Sequence, residues 1–339
     1  MTFVIDTKAL IFNIVLDKIS SMISNDSQDL YEQIKNSENI VIATHVNPDP
    51  DTLSSAIAMS HLLRRLNKKH TLFNVSDKLP TNLEFLDGYL NFRKTVPVKC
   101  DFIIAVDAAT FRRLGIEKPE VLMANIDHHK SNELYGDFNV VDNECSSTTQ
   151  VIYNLFNELD IKINAKMAET LYVGLLDDTS GFIAPSTKSS SLEMASTLSK
   201  VGIDVSKIAQ HIRMNKSLAT LRLTAILLAK MALYEDGQIA SVVATSHEFK
   251  ESGASADDTE TAQNEMLYLA TVKVAIVLRE SDIAKKVRIS LRSKDDIDVS
   301  KIASKYNGGG HAHAGGFSIS HEDIYELEQI LIKQIKEIL

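Results

Sequence analysis

NIVIATHVNPDPDTLSSA, residues 39–56, passes from a β-branched apolar run into a cluster of polar donors within a few positions. The run at 40–44 is short, continuous and β-branched, which reads as a buried strand. His45, Asp49 and Asp51 follow it at once, and SSAIAMSHLLRRLNKK (54–69) then repeats apolar residues at helical spacing. A strand that ends in donor side chains and feeds a helix is the opening of a β-α-β unit.

The same alternation continues outward. KHTLFNV (69–75), CDFIIAVD (100–107) and VLMANID (121–127) read as further strands, and segments 146–159, 164–180 and 189–202 read as helices, the last stopped by Gly202. This order predicts an α/β fold whose N-terminal part is a doubly wound, mostly parallel sheet with helices on both faces. Beyond it the pattern restarts. A helix is expected over 217–237, strands at 238–245, 271–280 and 285–293, a loop or helix entry at 251–265, the glycine-rich YNGGGHAHAGGFSIS at 306–320, and a last helix over 321–338. The expected organisation is an N-terminal helical extension (1–36), a first domain (37–195), a linker (196–216) and a smaller α/β domain (217–339).

Composition bounds the function. The chain has 339 residues, 44% hydrophobic and 24% charged, as in a soluble globular protein. A net charge of −9 argues against a basic nucleic-acid coat, so long duplex DNA is not an expected partner. Cys100 and Cys145 form no C-x-x-C pattern, which fits a reducing compartment and a cytoplasmic location. No run reaches the ~20 apolar residues of a membrane span. The first 22 residues carry Asp6 and no basic leader, so they do not read as a signal peptide. Leu10, Ile11, Ile14, Val15, Ile19 and Met22 recur at helical spacing, predicting an amphipathic helix that packs on the body or on a second subunit; a homodimer is therefore an open expectation.

Donor side chains gather at strand ends. His45 follows one strand, Asp107 another, and Asp127, His128 and His129 a third; Asp177 and Asp178 end an apolar helix. The C-terminal edge of a parallel sheet is where ligands bind. Carboxylates crowded there repel one another, and a divalent cation relieves this; two relieve it better. Carboxylate oxygen mixed with imidazole nitrogen suits manganese or a related metal. Each motif alone is compatible with ordinary turn or surface chemistry; their joint placement after successive strands is what points to a site.

HVNPDPD, AVD, IDHH and LLDDTSGF, followed far downstream by GGGHAHAGG, resemble the DHH–DHHA1 phosphoesterases, within which the chain is similar to the nanoRNase/pAp phosphatase branch. The resemblance runs from about residue 37 to the end. It implies two Mn²⁺, one held by His45, Asp49 and Asp107, the other by Asp51, Asp107, His128 and Asp178, with Asp107 bridging. Asp178, not Asp177, matches the family's acid; Pro50 and Ser180 stand where the family commonly has glycine, and Asn307 where a fourth glycine is frequent. It implies catalytic roles for Asp107, His128 and His129, with Asp127 orienting an imidazole, and substrate contacts from His129, Arg292, Gly308, Gly309, Gly310 and His311. Arg113 also resembles a recurrent family position. The implied activity is a metal-dependent phosphodiesterase, acting as an exoribonuclease in a cleft between the domains. A hydroxide activated by two metals would release nucleoside 5′-monophosphates from short oligoribonucleotides, and the 3′-phosphate of pAp is a further candidate target. A cyclic- or linear-dinucleotide phosphodiesterase (c-di-AMP, pGpG) and, from another class, a catalytically inactive nucleotide-binding regulatory module remain open alternatives.

Overall fold

The apolar run that opens the motif forms strand β1 (Asn39–Thr44), preceded by a helix, α1 (26–36), and followed by α2 (Pro50–Arg65), β2 (Lys69–Phe73), β3 (Phe92–Arg93), β4 (Phe102–Val106), β5 (Leu122–Asp127) and β6 (Phe138–Val141). The computed structural model describes residues 26–280, 286–321 and 323–339. The amphipathic helix expected over Leu10–Met22 lies outside the described residues. The chain divides into two compact units, 1–215 and 216–339.

In the first unit six parallel strands run in the order β3-β2-β1-β4-β5-β6. The chain winds outward from β1 to β3, then returns to β4 beside β1, so the strand order reverses between β1 and β4. Helices α3 (Thr148–Glu158), α4 (Ala165–Asp178), α5 (Ser189–Ser199) and α6 (Val205–Arg213) complete the unit. One sheet face, with Ile40, Ile42, Phe102, Ile104 and Ile126, packs with buried residues of α1 to α6 into the main core. The sequence predicts helices on both faces. Among the described residues the opposite face, with Val41, Ala43, Ile103, Ala105 and Met123, is covered by the 3-10 turn Phe111–Leu114 and by connecting segments. The reason is local: Gly115, at φ +67, stops the β4–β5 connection from continuing as a helix. The expected linker at 196–216 is also structured. It holds the end of α5 and all of α6, and Leu198 and Ile208 are buried in the first unit's core.

The second unit contains α7 (Leu218–Lys230), β7 (Ala232–Tyr234), β8 (Ile239–Ala244), α8 (Ser246–Ser252), α9 (Thr259–Tyr268), β9 (Val274–Glu280), β10 (Lys286–Ser293), α10 (Ser300–Lys305), β11 (Gly309–His311), β12 (Ala314–Ser320) and α11 (Ile324–Lys336). Its sheet runs β11-β12-β10-β9-β8-β7 and is mixed, with only β8 and β9 parallel. Helices α10 and α11 share a core with one face, and α7 and α9 share a core with the other. The helix expected over 217–237 ends at Lys230, because 232–234 pairs with β8 through a turn at Glu235, Asp236 and Gly237, all at positive φ. Strand pairing overrides helix propensity there. The glycine-rich segment at 306–320 forms a hairpin, β11 against β12.

Candidate metal centre

Register places the donors. Thr44 pairs with Val106 and Val106 with Ile126 across the three central strands, so His45, Asp107 and Asp127 lie side by side at the C-terminal edge. His45 and Asp107 flank the strand-order reversal, the usual ligand-binding crevice of such a sheet. Asp107 adopts φ +57, a left-handed conformation that is strained for a residue with a Cβ, while its N–H still donates to Ile126 O at 2.9 Å. Asp49 caps α2 by accepting from Thr52 N at 2.9 Å, and Pro50 occupies the first helical position, where a missing N–H costs no intrahelical hydrogen bond.

Three overlapping groups result, each with ligand atoms within 4.8 Å of one another: His45, Asp49 and Asp107; Asp51, His128 and Asp178; and Asp107, Asp127, His128 and His129. His45 Nε2 is 3.7 Å from Asp49 and 3.6 Å from Asp107. His128 Nε2 is 3.2 Å from Asp178 and 3.8 Å from Asp107. His45 Nδ1 donates to Val46 O at 2.9 Å, which leaves Nε2 facing Asp49 and Asp107. Asp127 is fully buried and accepts from His129 Nδ1 at 2.6 Å and from His128 N at 2.8 Å, so it orients the second imidazole.

The hydroxyl and amide groups around these acids are what sequence reasoning missed. Asp51 accepts from Thr148 N at 2.7 Å, from Thr149 N at 3.1 Å and from Thr149 Oγ1 at 2.8 Å, all at the N-terminus of α3. Thr148 Oγ1 donates to Asp107 at 2.9 Å, and Thr52 Oγ1 lies within hydrogen-bonding distance of His45, Asp49 and Asp107. The only sequence signal was the capping run SSTT at 146–149. Gly174 on α4 is required by the same contact: a Cβ there would stand 2.3 Å from Asp51 Oδ1 and 2.5 Å from Thr149 Cγ2.

Electrostatics are those of a cation site. Among the described residues no lysine or arginine forms an ion pair with Asp49, Asp51, Asp107 or Asp178. Burial and the charges of Asp107 and Asp49 hold the Asp51 carboxyl well above the usual range despite its donors. Burial and neighbouring aspartates do the same to Asp178. Burial alone would lower His45, but Asp107 and Asp49 outweigh it and push the imidazole up to about 10. Asp107 is drawn down, since His45, His129 and His128 overcome its burial. This set of carboxylate oxygens and imidazole nitrogens fits divalent cations.

The C-terminal residues lie in the second unit. Arg292 on β10 pairs with Glu260 at 2.9 Å. Gly308 and Gly310 are required by the hairpin: a Cβ would lie 2.3 Å from Gly316 O at the first and 2.0 Å from Ala314 O at the second. Gly309 faces open space, and His311 pairs in register with Ala314. The lack of a Cβ is thus required by packing at Gly308 and Gly310, and at Gly309 nothing lies within 4 Å of the position a Cβ would take.

Comparison with known proteins accords with this arrangement. The DHH family, N-terminal domain, matches residues 39–175 and the DHHA1 domain matches residues 236–337. The chain is 28% identical over 308 residues to the bifunctional oligoribonuclease and PAP phosphatase NrnA of Bacillus subtilis, covering 89% of this chain and 96% of that one. It is 27% identical over 301 residues to the protein of the same name from Thermus thermophilus, covering 88% and 89%. In fold it is similar to an exopolyphosphatase-related protein from Bacteroides fragilis, with a TM-score of 0.85 at 24% identity, covering 92% of this chain and 96% of that one. With donors at the strand ends and both domain families matched in order, the chain belongs to the DHH–DHHA1 phosphoesterases, hydrolases that act on nucleotides.

Proposed function

We propose that this phosphoesterase hydrolyses short oligoribonucleotides to nucleoside 5′-monophosphates and also removes the 3′-phosphate of pAp, using two Mn²⁺. The observation that carries the reading is the convergence of two donor groups, His45/Asp49/Asp107 and Asp51/His128/Asp178, with Asp107 close to ligands of both. The similarity to oligoribonuclease and PAP phosphatase relatives over most of the chain supports the substrate class. In this reading His45, Asp49 and Asp107 hold one cation, and Asp51, Asp107, His128 and Asp178 hold the other. Bound divalent ions supply Lewis acidity, which makes water nucleophilic near neutrality and offsets charge on the phosphoryl oxygens. The threonine hydroxyls of 52 and 148 hold the Asp107 carboxylate in one orientation, and the α3 amides do the same for Asp51. Asp127 fixes the His129 proton at Nδ1 and turns the ring so that it can face a substrate phosphate. Arg292, Gly309 and His311 in the second unit are assigned to the substrate's terminal phosphate, the arginine through a bidentate grip.

A panel of di- to pentaribonucleotides, pAp, pGpG and cyclic di-AMP, assayed with Mn²⁺ and resolved by chromatography, tests this. Turnover of the linear oligonucleotides and pAp is expected, and its loss in Asp107→Ala. Selective turnover of cyclic di-AMP would replace the substrate assignment, and an active Asp107→Ala would remove the dimetal site.

A further inference from the structure

On the face of the C-terminal sheet that α7 and α9 cover over β8 and β9, strand β10 carries a basic strip that the metal centre does not use. Along β10, Val287, Ile289 and Leu291 enter one core, so Arg288, Ser290 and Arg292 point to the opposite face. Register extends this face sideways. Arg288 stands opposite Arg279 on β9 and Ser318 on β12; Ser290 stands opposite Gly316, which pairs with Gly309; and Arg292 stands opposite Ala314. Between the arginines the surface over β10 and β12 is therefore floored by serine, glycine and alanine, and the charged side chains of those two strands on this face are Lys286, Arg288 and Arg292.

Two arginines opposite each other on neighbouring strands repel, and burial together with the charge of Arg288 lowers the affinity of Arg279 for its proton. Arg279 is tied down by Ala256 O and lies 3.9 Å from Asp257. Arg292 has Glu260. Arg288 is exposed, and among the described residues no carboxylate pairs with it. A cationic strip on a chain of net charge −9 is locally selective for an anion.

We propose that Arg288, with Arg279 beside it, binds a second backbone phosphate of a linear single-stranded oligonucleotide whose terminal phosphate is held at Arg292. This rests on the assignment of Arg292 to substrate above. Residues 288 and 292 are separated by four strand positions, about 13 Å. That is longer than one nucleotide step, so a substrate with a single internucleotide linkage does not reach both arginines and a longer one does. Gln263 of α9 bonds Ser290 on the β9 side, and on the β12 side the floor between the arginines is Ala314 and Gly316, small and partly exposed, which leaves room there for a sugar-phosphate backbone. Arg288 is thus a length-sensing contact that favours oligonucleotides of three or more residues over dinucleotides and pAp.

The test measures binding by fluorescence anisotropy, using the metal-free full chain in EDTA so that no hydrolysis occurs. End-labelled ribonucleotides of two, three and five residues are titrated with the wild type, Arg288→Ala and Arg288→Lys. The wild type is expected to bind the pentamer more tightly than the dimer. Arg288→Ala should weaken pentamer binding about five- to tenfold, weaken dimer binding less than twofold, and reduce the salt slope for the pentamer by about 0.7. Arg288→Lys should recover part of the loss. Equal weakening at every length, no weakening at any length, or a wild type indifferent to length would overturn the proposal. A wild type that binds by length but hydrolyses no oligonucleotide with Mn²⁺ would instead overturn the assigned activity and leave the length contact standing.

Discussion

Asp178 shows how a single carboxylate can serve the site at the expense of the fold. Burial and the charges of Asp51, Asp49 and Asp107 hold its carboxyl well above the ordinary range. An acid whose folded-state affinity for a proton is raised destabilises the fold once pH exceeds its unfolded value, because the charged form is the disfavoured one. Asp178→Asn in metal-free protein is therefore expected to raise stability at pH 7 by about 1 kcal/mol, measured by urea denaturation, while activity falls more than about 100-fold. A variant less stable than wild type would show that Asp178 is instead satisfied without a cation. At this scale the sequence was informative about the donors, because His45, Asp107 and the Asp127–His129 run follow recognisable strands. It was silent on Thr52, Thr148 and Thr149, whose hydroxyls matter only because folding brings them to acids far away in the chain.

Helix termini govern the next scale. Two helix N-termini meet at Asp51, which sits in the first turn of α2 and accepts from the first amides of α3, so both helix dipoles favour its charge. Helix α4 closes against them only because Gly174 has no side chain. Gly174→Ala should cost about 1–3 kcal/mol of stability in equilibrium denaturation, since both Asp51 and Thr149 would have to move. It should also weaken Mn²⁺ binding measured by calorimetry; unchanged stability and affinity would show that the helices separate freely. A second helix start, at α8, offers a pH-dependent case away from the site. Burial would raise the Glu248 carboxyl, but Lys230 and the amide and hydroxyl of Thr245 outweigh it and lower it from 4.5 to about 2. The resulting stabilisation is present above pH 4.5 and is lost as pH falls through 2. Glu248→Ala should lower stability at pH 7 by about 1–2 kcal/mol, with the deficit shrinking as the solution is acidified over that window. A deficit constant with pH would assign the effect to packing.

The whole chain comprises two units with separate cores, and all the metal-type donor groups among the described residues lie in the first. Mn²⁺ at about 100 times its Kd should add about 2.7 kcal/mol to the unit that binds it. Scanning calorimetry is expected to show the transition of the first unit moving up with Mn²⁺ and that of the second staying in place; equal shifts in both would mean that they unfold together. The sequence by itself determined the parallel α/β character of the first unit, the order of its central strands along the chain and the placement of candidate donors at the strand ends, because period, β-branching and acid placement are local properties. Tertiary structure alone decided which donors converge, that the end of α5 and all of α6 belong to the first unit and not to a linker, that helices cover only one face of the first sheet among the described residues, and that Gly308 and Gly310 serve the hairpin. Those outcomes depend on strand order, register and the volume left between packed elements, and each is set by residues far apart in sequence.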